Sequence, residues 1–166
     1  MTRLPVVIDS REREGYELPF PDHIRIRLRR SKTPTLFKVT PAVDRMDAGD
    51  YTIKGFEDVV LIETKRSALE VEENLLGDDF KRADGAFRRL CSSTRWPMLV
   101  CEFSQADLAE HVRDALAYGI AEYGLHVWFA GPRSAKDARR STADMVLRLM
   151  IAMVDLEYPG LIRAKE

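Results

Sequence analysis

The sequence lacks any apolar run of membrane-spanning length, has only 2 cysteines in 166 residues, and carries no surplus of charge of either sign. A transmembrane helix needs about 20 consecutive apolar residues, so the first absence argues against a membrane protein. Cys91 and Cys101 do not have the paired spacing of a zinc site, and they read as buried thiols rather than a disulfide. The start, Met1-Thr2-Arg3-Leu4-Pro5, enters an apolar strand without the longer apolar region and small-residue cleavage site of a signal peptide. An intracellular location is therefore expected: cytoplasm and nucleoid, or the nucleus in a eukaryote. The net charge of −1 argues against nonspecific coating of nucleic acid, although a global sum hides local separation of sign. No repeat or linker divides the chain. What is present, 45% hydrophobic and 32% charged residues, suits one globular domain over residues 1–166 with its core at about 5–156.

Strand and helix patterns alternate along the chain, which predicts an α/β layered domain. Leu4 to Asp9 is an apolar strand ending in an acid, followed by the charged run Ser10-Arg11-Glu12-Arg13-Glu14 and Gly15. Leu36 to Thr40 reads as a strand, and a loop carrying Pro41, Asp44, Arg45 and Asp47 follows to Gly49. Asp50 to Ile53 and Val59 to Thr64 form a hairpin around Lys54-Gly55-Phe56-Glu57-Asp58. Ser67-Ala68-Leu69-Glu70 is a capping-box pattern that opens a helix. A second helix covers Asp79 to Thr94, with Phe80, Ala83, Phe87 and Leu90 at helical spacing. Pro97 opens a strand ending at Glu102-Phe103, and Ser104 caps a helix that Gly124 ends. Leu125 to Ala130 is the last strand, and from Ser134 a long helix carries Met145, Leu149, Ala152 and Leu156 at a 3.6 period. Met145, Met150 and Met153 are either core or a dimer seam.

Two features suggest chemistry. In Val59-Val60-Leu61-Ile62-Glu63-Thr64-Lys65 an apolar strand emerges with two charges, and residues two apart share a face, so Glu63 and Lys65 point together while Thr64 points away. Buried charges are costly unless paired or bound to metal. Asp50 lies 12 intervening residues before Glu63, and the hairpin brings Asp50, Glu63 and Lys65 together. Hard oxygen ligands of this kind hold Mg²⁺ or Mn²⁺, which polarises a phosphate and activates water, with the lysine neutralising charge on the phosphate oxygens. A surface ion pair is the plain alternative. The second feature is the alternation of Arg25, Arg27 and Arg29 with Ile24, Ile26 and Leu28, continued by Arg30 and Lys32. Its basic face is either a phosphate contact or a solvated edge strand protected by charge.

Taken together, Ile8-Asp9-Ser10-Arg11-Glu12, Gly49-Asp50-Tyr51, Leu61-Ile62-Glu63-Thr64-Lys65, Pro97 to Phe103 and Tyr123-Gly124-Leu125-His126-Val127-Trp128-Phe129-Ala130 resemble the nuclease domain of the XPF family. These are structure-specific endonucleases of the PD-(D/E)xK restriction-like superfamily, and the resemblance spans about Val6 to Leu149. It implies a restriction-endonuclease-like central mixed sheet flanked by helices on both faces. It also implies Mg²⁺- or Mn²⁺-dependent hydrolysis of branched or flap DNA in repair, recombination or replication. By the same resemblance, Asp50 and Glu63 are metal ligands, joined by Asp9 and the backbone carbonyl of Thr64, and Lys65 is the catalytic lysine. Arg11 falls to the scissile phosphate, Glu12 to positioning Arg11 or a water on the metal, and Arg82 to the DNA backbone.

The sequence departs from the family at three points. Thr64 stands where the family has arginine. Leu69 stands at the family's acid after the lysine, with Glu70 one step later as a substitute or simply a helix cap. The segment from His23 to Met46 is longer than the family requires, and extra loops reshape a DNA channel. With Glu166 the chain leaves room for neither a helix-hairpin-helix module nor a helicase domain, which leads to the expectation of a homodimer or a DNA-binding partner protein. Two other classes remain: another PD-(D/E)xK enzyme, such as a Holliday junction resolvase or recombination exonuclease, and a noncatalytic scaffold. The intact Asp9, Asp50, Glu63 and Lys65 argue against the scaffold.

Overall fold

In the computed structural model, residues 2–12, 15–132 and 136–161 are described. Seven strands form one mixed sheet: β1 (Thr2–Asp9), β2 (His23–Ile26), β3 (Thr35–Asp44), β4 (Tyr51–Ile53), β5 (Val60–Lys65), β6 (Trp96–Cys101) and β7 (His126–Phe129). Their spatial order is β2-β3-β1-β4-β5-β6-β7. β1 runs parallel to β3, β4 lies antiparallel between β1 and β5, and β5, β6 and β7 are parallel. Helices α1 (Ala68–Leu76), α2 (Phe80–Ser93) and α3 (Glu110–Tyr123) cover one face, and α4 (Lys136–Glu157) covers the other. This is the α/β arrangement expected, with helices on both faces of a mixed sheet. No helix among the described residues is long and apolar enough to cross a membrane.

The pleat decides which side each residue serves. Val60 and Ile62 pack toward α4, whereas Leu61 packs toward α1, α2 and α3. By the same period of two, Glu63 and Lys65 emerge on the side of Leu61, and Asp9 on the side of its neighbour Val7. Both strands end on that side, beyond the apolar layer, which is why charge can appear there. Gly49 fits one residue before Asp50 because its φ is +75° and a Cβ would sit 3.1 Å from the Ile62 carbonyl oxygen. Gly124 ends α3 in the left-handed conformation, as the sequence predicts.

Several elements differ from expectation. β2 contains only Arg25 of the three arginines, because the chain leaves the sheet after Ile26; Arg27 and Arg29 follow in irregular backbone. β3 continues through Pro41 to Asp44 where a loop was expected. Val39 N–H reaches the Asp22 carbonyl on the β2 side, and Pro41, of the same parity, turns its nitrogen to that side beyond the end of β2. A proline is tolerated there because no ladder bond is required of it. Ser104 caps a short 3-10 turn, Gln105–Asp107, and α3 starts only at Glu110. Phe80 is exposed at the start of α2.

On α4 the apolar stripe named from sequence turns mostly outward, with Leu149 alone of its four residues packed partly against the core. Ala143, Val146, Leu147, Met150, Ile151 and Val154 are buried, whereas Met145, Ala152 and Leu156 are exposed. Met150 is therefore core and Met145 surface. The expected helix start at Ser134 lies outside the described residues, as do Arg13 and Glu14.

Candidate active site

Asp50 and Glu63 interact across the end of the β4/β5 hairpin, each raising the local negative charge felt by the other. Tyr51 pairs with Ile62, which puts Asp50 just beyond the paired residues, beside Glu63. Asp50 is held hard: its N–H donates to the Ile62 carbonyl (2.6 Å), and its own carbonyl accepts the Asp9 N–H (2.8 Å). With that carbonyl occupied, the side chain takes over the next ladder position. Asp50 Oδ2 accepts both the Thr64 N–H and the Thr64 hydroxyl, each at 2.7 Å. Thr64 was expected to take no side-chain part in the site; instead its hydroxyl orients one of the two principal acids.

Lys65 is buried, and its Nζ donates to Glu63 Oε1 at 2.9 Å and lies 3.5 Å from Glu70 Oε1. Burial alone would lower its pKa, but Glu63, Glu70 and Asp50 outweigh that and raise it, so the ammonium stays charged. Glu70 does more than cap α1. It accepts the Arg66 N–H through Oε2 while its other oxygen faces Lys65.

Asp9 and Arg11 form a clamp. Asp9 is buried and accepts four hydrogen bonds, from Arg11 N, Nε and Nη2 and from Met46 N, at 2.7–3.0 Å. Arg11 Nη2 also donates to the Met46 carbonyl (2.8 Å), so the pair ties the end of β1 to the loop that delivers Asp50. Burial pushes the Asp9 carboxyl up, and the hydrogen bonds from Arg11 and Met46 more than reverse it, leaving its pKa below the ordinary value. A carboxylate with this many donors is occupied as an anchor. The guanidinium it fixes remains 58% exposed toward the cleft. Asp9→Asn should therefore lower thermal stability above pH 4, by about 2–4 kcal/mol for a buried anchor of this kind. The loss should shrink in acid, as the wild-type carboxyl is itself protonated below its depressed pKa. Melting of both proteins between pH 3 and 7 checks this.

Glu12 differs from expectation. It is buried and ion-paired with Arg66, whose guanidinium also stacks on Tyr16, 4.8 Å from the ring centre. It does not position Arg11. Its place one residue beyond the Arg11 clamp turns it toward the chain after Lys65, which no local pattern announces.

Of these residues Asp9, Arg11, Asp50 and Glu63 line an open cleft, together with Asp47, Ala48, Gly49, Arg82, Ala86 and Arg89, while Lys65 lies behind Glu63. Arg82 lines this cleft, and its guanidinium also meets Asp79 at 2.8 Å. Arg25, Arg27 and Arg29 are not at the cleft; β3 and β1 intervene between β2 and β4. Two charged lining residues, Asp47 and Arg89, were given no site role from sequence. The signal for Arg89 was present: it follows Arg82 by seven positions, two helical turns along one face. Among the described residues Arg89 makes no ion pair, so its charge faces the cleft uncommitted.

The donor set suits a hard divalent cation. Asp50 is pushed up to about 7, first by burial and then by repulsion from Glu63. Among the described residues no group of three His, Cys, Asp or Glu side chains forms a closed metal cage. Two carboxylates at an open cleft fit Mg²⁺, which keeps waters and substrate oxygens among its ligands. Asp50 binds its proton more tightly folded than unfolded, so metal-free protein should lose stability as pH rises from about 4 to 7. Mg²⁺ should reverse the loss, and Asp50→Asn should abolish it. Melting temperatures across that range, with and without Mg²⁺, test all three.

No protein-family model matches the sequence, and no curated protein matches it. Among solved structures, the chain is similar to XPF from Aeropyrum pernix, with a TM-score of 0.57, 16% identity, and coverage of 89% of this chain and 60% of that one. A second structure, XPF from Aeropyrum pernix in complex with DNA, gives a TM-score of 0.58 at 16% identity, covering 95% of this chain and 66% of that one. The chain thus spans less than two thirds of the length of either. The likeness places the seven-stranded sheet and its two helical layers in an XPF-like nuclease fold, the one the sequence motifs resemble.

Proposed function

We propose that the protein is a Mg²⁺- or Mn²⁺-dependent DNA endonuclease acting on branched or flap structures, within the cell and in repair, recombination or replication. The observation that carries this reading is the pairing of Asp50 and Glu63 at one open cleft, with Lys65 held on Glu63 and Arg11, Arg82 and Arg89 around the rim. A bound divalent cation would supply Lewis-acid polarisation of the phosphate and activation of water, with Asp50 and Glu63 as its holders. Lys65 donates toward the charge that develops on the phosphate oxygens. Arg11, whose Nε and Nη2 are held by Asp9 and the Met46 carbonyl, keeps Nη1 to donate to the phosphate under attack. Arg82 and Arg89 steer the flanking backbone along α2.

That a structure of the similar Aeropyrum pernix XPF contains DNA supports DNA as the ligand. A homodimer would have the exposed outer stripe of α4, Met145 and Leu156, available to it. The test is cleavage of labelled flap, fork, four-way junction, single-strand and linear duplex DNA with Mg²⁺, Mn²⁺ or EDTA. Metal-dependent cuts near a flap or fork junction support the reading. Preference for four-way junctions, or degradation from ends, would redirect it to a resolvase or exonuclease, and absence of cleavage on every substrate would remove the enzyme.

A further inference from the structure

A second cavity, of about 410 Å³, adjoins the cleft and shares Asp47 and Ala48 with it. It has no part in the metal site. Its position follows from α2: Arg82, Ala86 and Arg89 line the cleft, and Ser93, on the same helical face, lines the cavity. At 1.5 Å per residue that face is about 16 Å long, a span of a few nucleotides.

The two halves of this groove differ in chemistry. The cleft carries Arg11, Arg82 and Arg89. The cavity has an apolar floor, Val7 from β1, Leu61 from β5, and Met46 and Ala48 from the loop between β3 and β4. Four carboxylates rim it, Asp44, Asp47, Glu57 and Asp58, against two cations, Arg45 and Lys54. Glu57 is engaged by the Gly55 N–H and Asp44 by the Arg45 N–H, whereas Asp47 and Asp58 accept no side-chain hydrogen bond among the described residues. A phosphate is repelled by such a rim. A flat, neutral heterocycle is not: it covers the floor and offers N–H groups to the open carboxylates.

Building on the reading of the cleft as a DNA-cutting site, we propose that this cavity receives one nucleobase of the bound strand, swung out of its stack beside the scissile phosphate. The backbone stays with Arg82 and Arg89, and the base drops past Asp47 onto Val7 and Leu61. Its volume lies within the range of about 300–1,000 Å³ usual for small-ligand pockets. Because a carboxylate only accepts, the pocket favours bases with an exocyclic amine, cytosine, adenine or guanine, which offer two N–H, over thymine, whose single N3–H serves one acceptor.

The experiment scans a single abasic site along each strand of whichever DNA the wild-type protein cleaves, with single-turnover rates measured in Mg²⁺. Removal of one base, at one position flanking the cut, should slow cleavage about 10- to 100-fold, the scale set by loss of one stacked base. Thymine there should be slower than cytosine. Ser93→Trp, which fills the cavity from an exposed helix position away from the acids, should slow intact DNA by a similar factor and make cleavage indifferent to the abasic site. Ser93→Trp that leaves this dependence at the wild-type level overturns the pocket. So does metal-dependent cleavage with a flat abasic scan, while leaving the nuclease reading in place. A flat scan accompanied by competition from free deoxycytidine assigns the cavity to a free ligand and overturns a strand-borne base. Failure to cleave any DNA overturns both readings.

Discussion

Asp50→Asn and Glu63→Gln should each reduce metal-dependent DNA cleavage by at least about 10³-fold, the several kcal/mol that a correctly held cation contributes to phosphate chemistry. Both should stay folded, for different reasons. Asp50 is half-buried against Glu63 with its pKa raised to about 7, so replacing it by a neutral amide removes repulsion. Asn retains an oxygen for the Thr64 N–H and hydroxyl that Asp50 now satisfies. Asp50→Ala does not, and the orphaned Thr64 groups should cost about 1–3 kcal/mol. Asn, rather than Ala, therefore separates chemistry from folding. Glu63→Gln loses the ion pair to Lys65, but Glu70 remains 3.5 Å from the ammonium. Cleavage rate, melting temperature and Mg²⁺ affinity measured on the same preparations decide the matter. Wild-type cleavage by either variant would show that the cation is held elsewhere.

What sequence could reveal here follows the range of the forces involved. β5 was legible because burial on both faces imposes an unbroken apolar run, and its period of two then fixes Glu63 and Lys65 on one side. The hairpin fixed Asp50 beside Glu63 for the same local reason. The start of α1 was equally local, set by the Ser67 hydroxyl on the Glu70 N–H. The departures come from distant partners. β3 extends past Thr40 because β1 pairs alongside it in parallel, a contact no residue in 40–44 advertises. α4 has apolar residues on more than one stripe, and only the sheet decides that Val146 and Met150 turn inward while Met145 stays out.

The site divides in the same way. Which acids meet was readable from strand parity; what each acid does was not. Asp9 was grouped with the metal ligands because it matches the family's acid after the first strand. Its four donors come from a local turn at Arg11 and from Met46, 37 residues away in sequence, and these make it the anchor for Arg11. Glu12 and Arg66 find each other across 54 positions, fixed by the packing of the segment after β1 against the chain after β5. The resemblance in motifs pointed to the fold, and the structure adds which side chains meet in it.

Lys65→Met should lower turnover about 10²- to 10³-fold, the cost typical of deleting one donor aimed at developing charge, without lowering Mg²⁺ affinity. Methionine has similar length and leaves no large void in a side chain that is only 10% exposed. The direction of the metal effect follows from charge. Lys65 sits 2.9 Å from Glu63 and 3.5 Å from Glu70 and lowers the pKa of Asp50, so it competes with a cation for the same negative field. Removing it should leave affinity unchanged or raise it, while metal-free protein, now with three acids and no lysine, becomes less stable toward alkaline pH. Mg²⁺ should restore that stability more strongly than it does in the wild type. Glu70→Gln provides the milder companion: it loosens Lys65 from one side and should reduce turnover by less, about tenfold, because Glu63 still holds the ammonium. Calorimetric Mg²⁺ titration beside single-turnover cleavage separates the outcomes. Slower cleavage with intact metal binding makes Lys65 a catalytic residue; a large loss of bound metal makes it a structural partner of Glu63 and moves the chemistry to the arginines of the cleft.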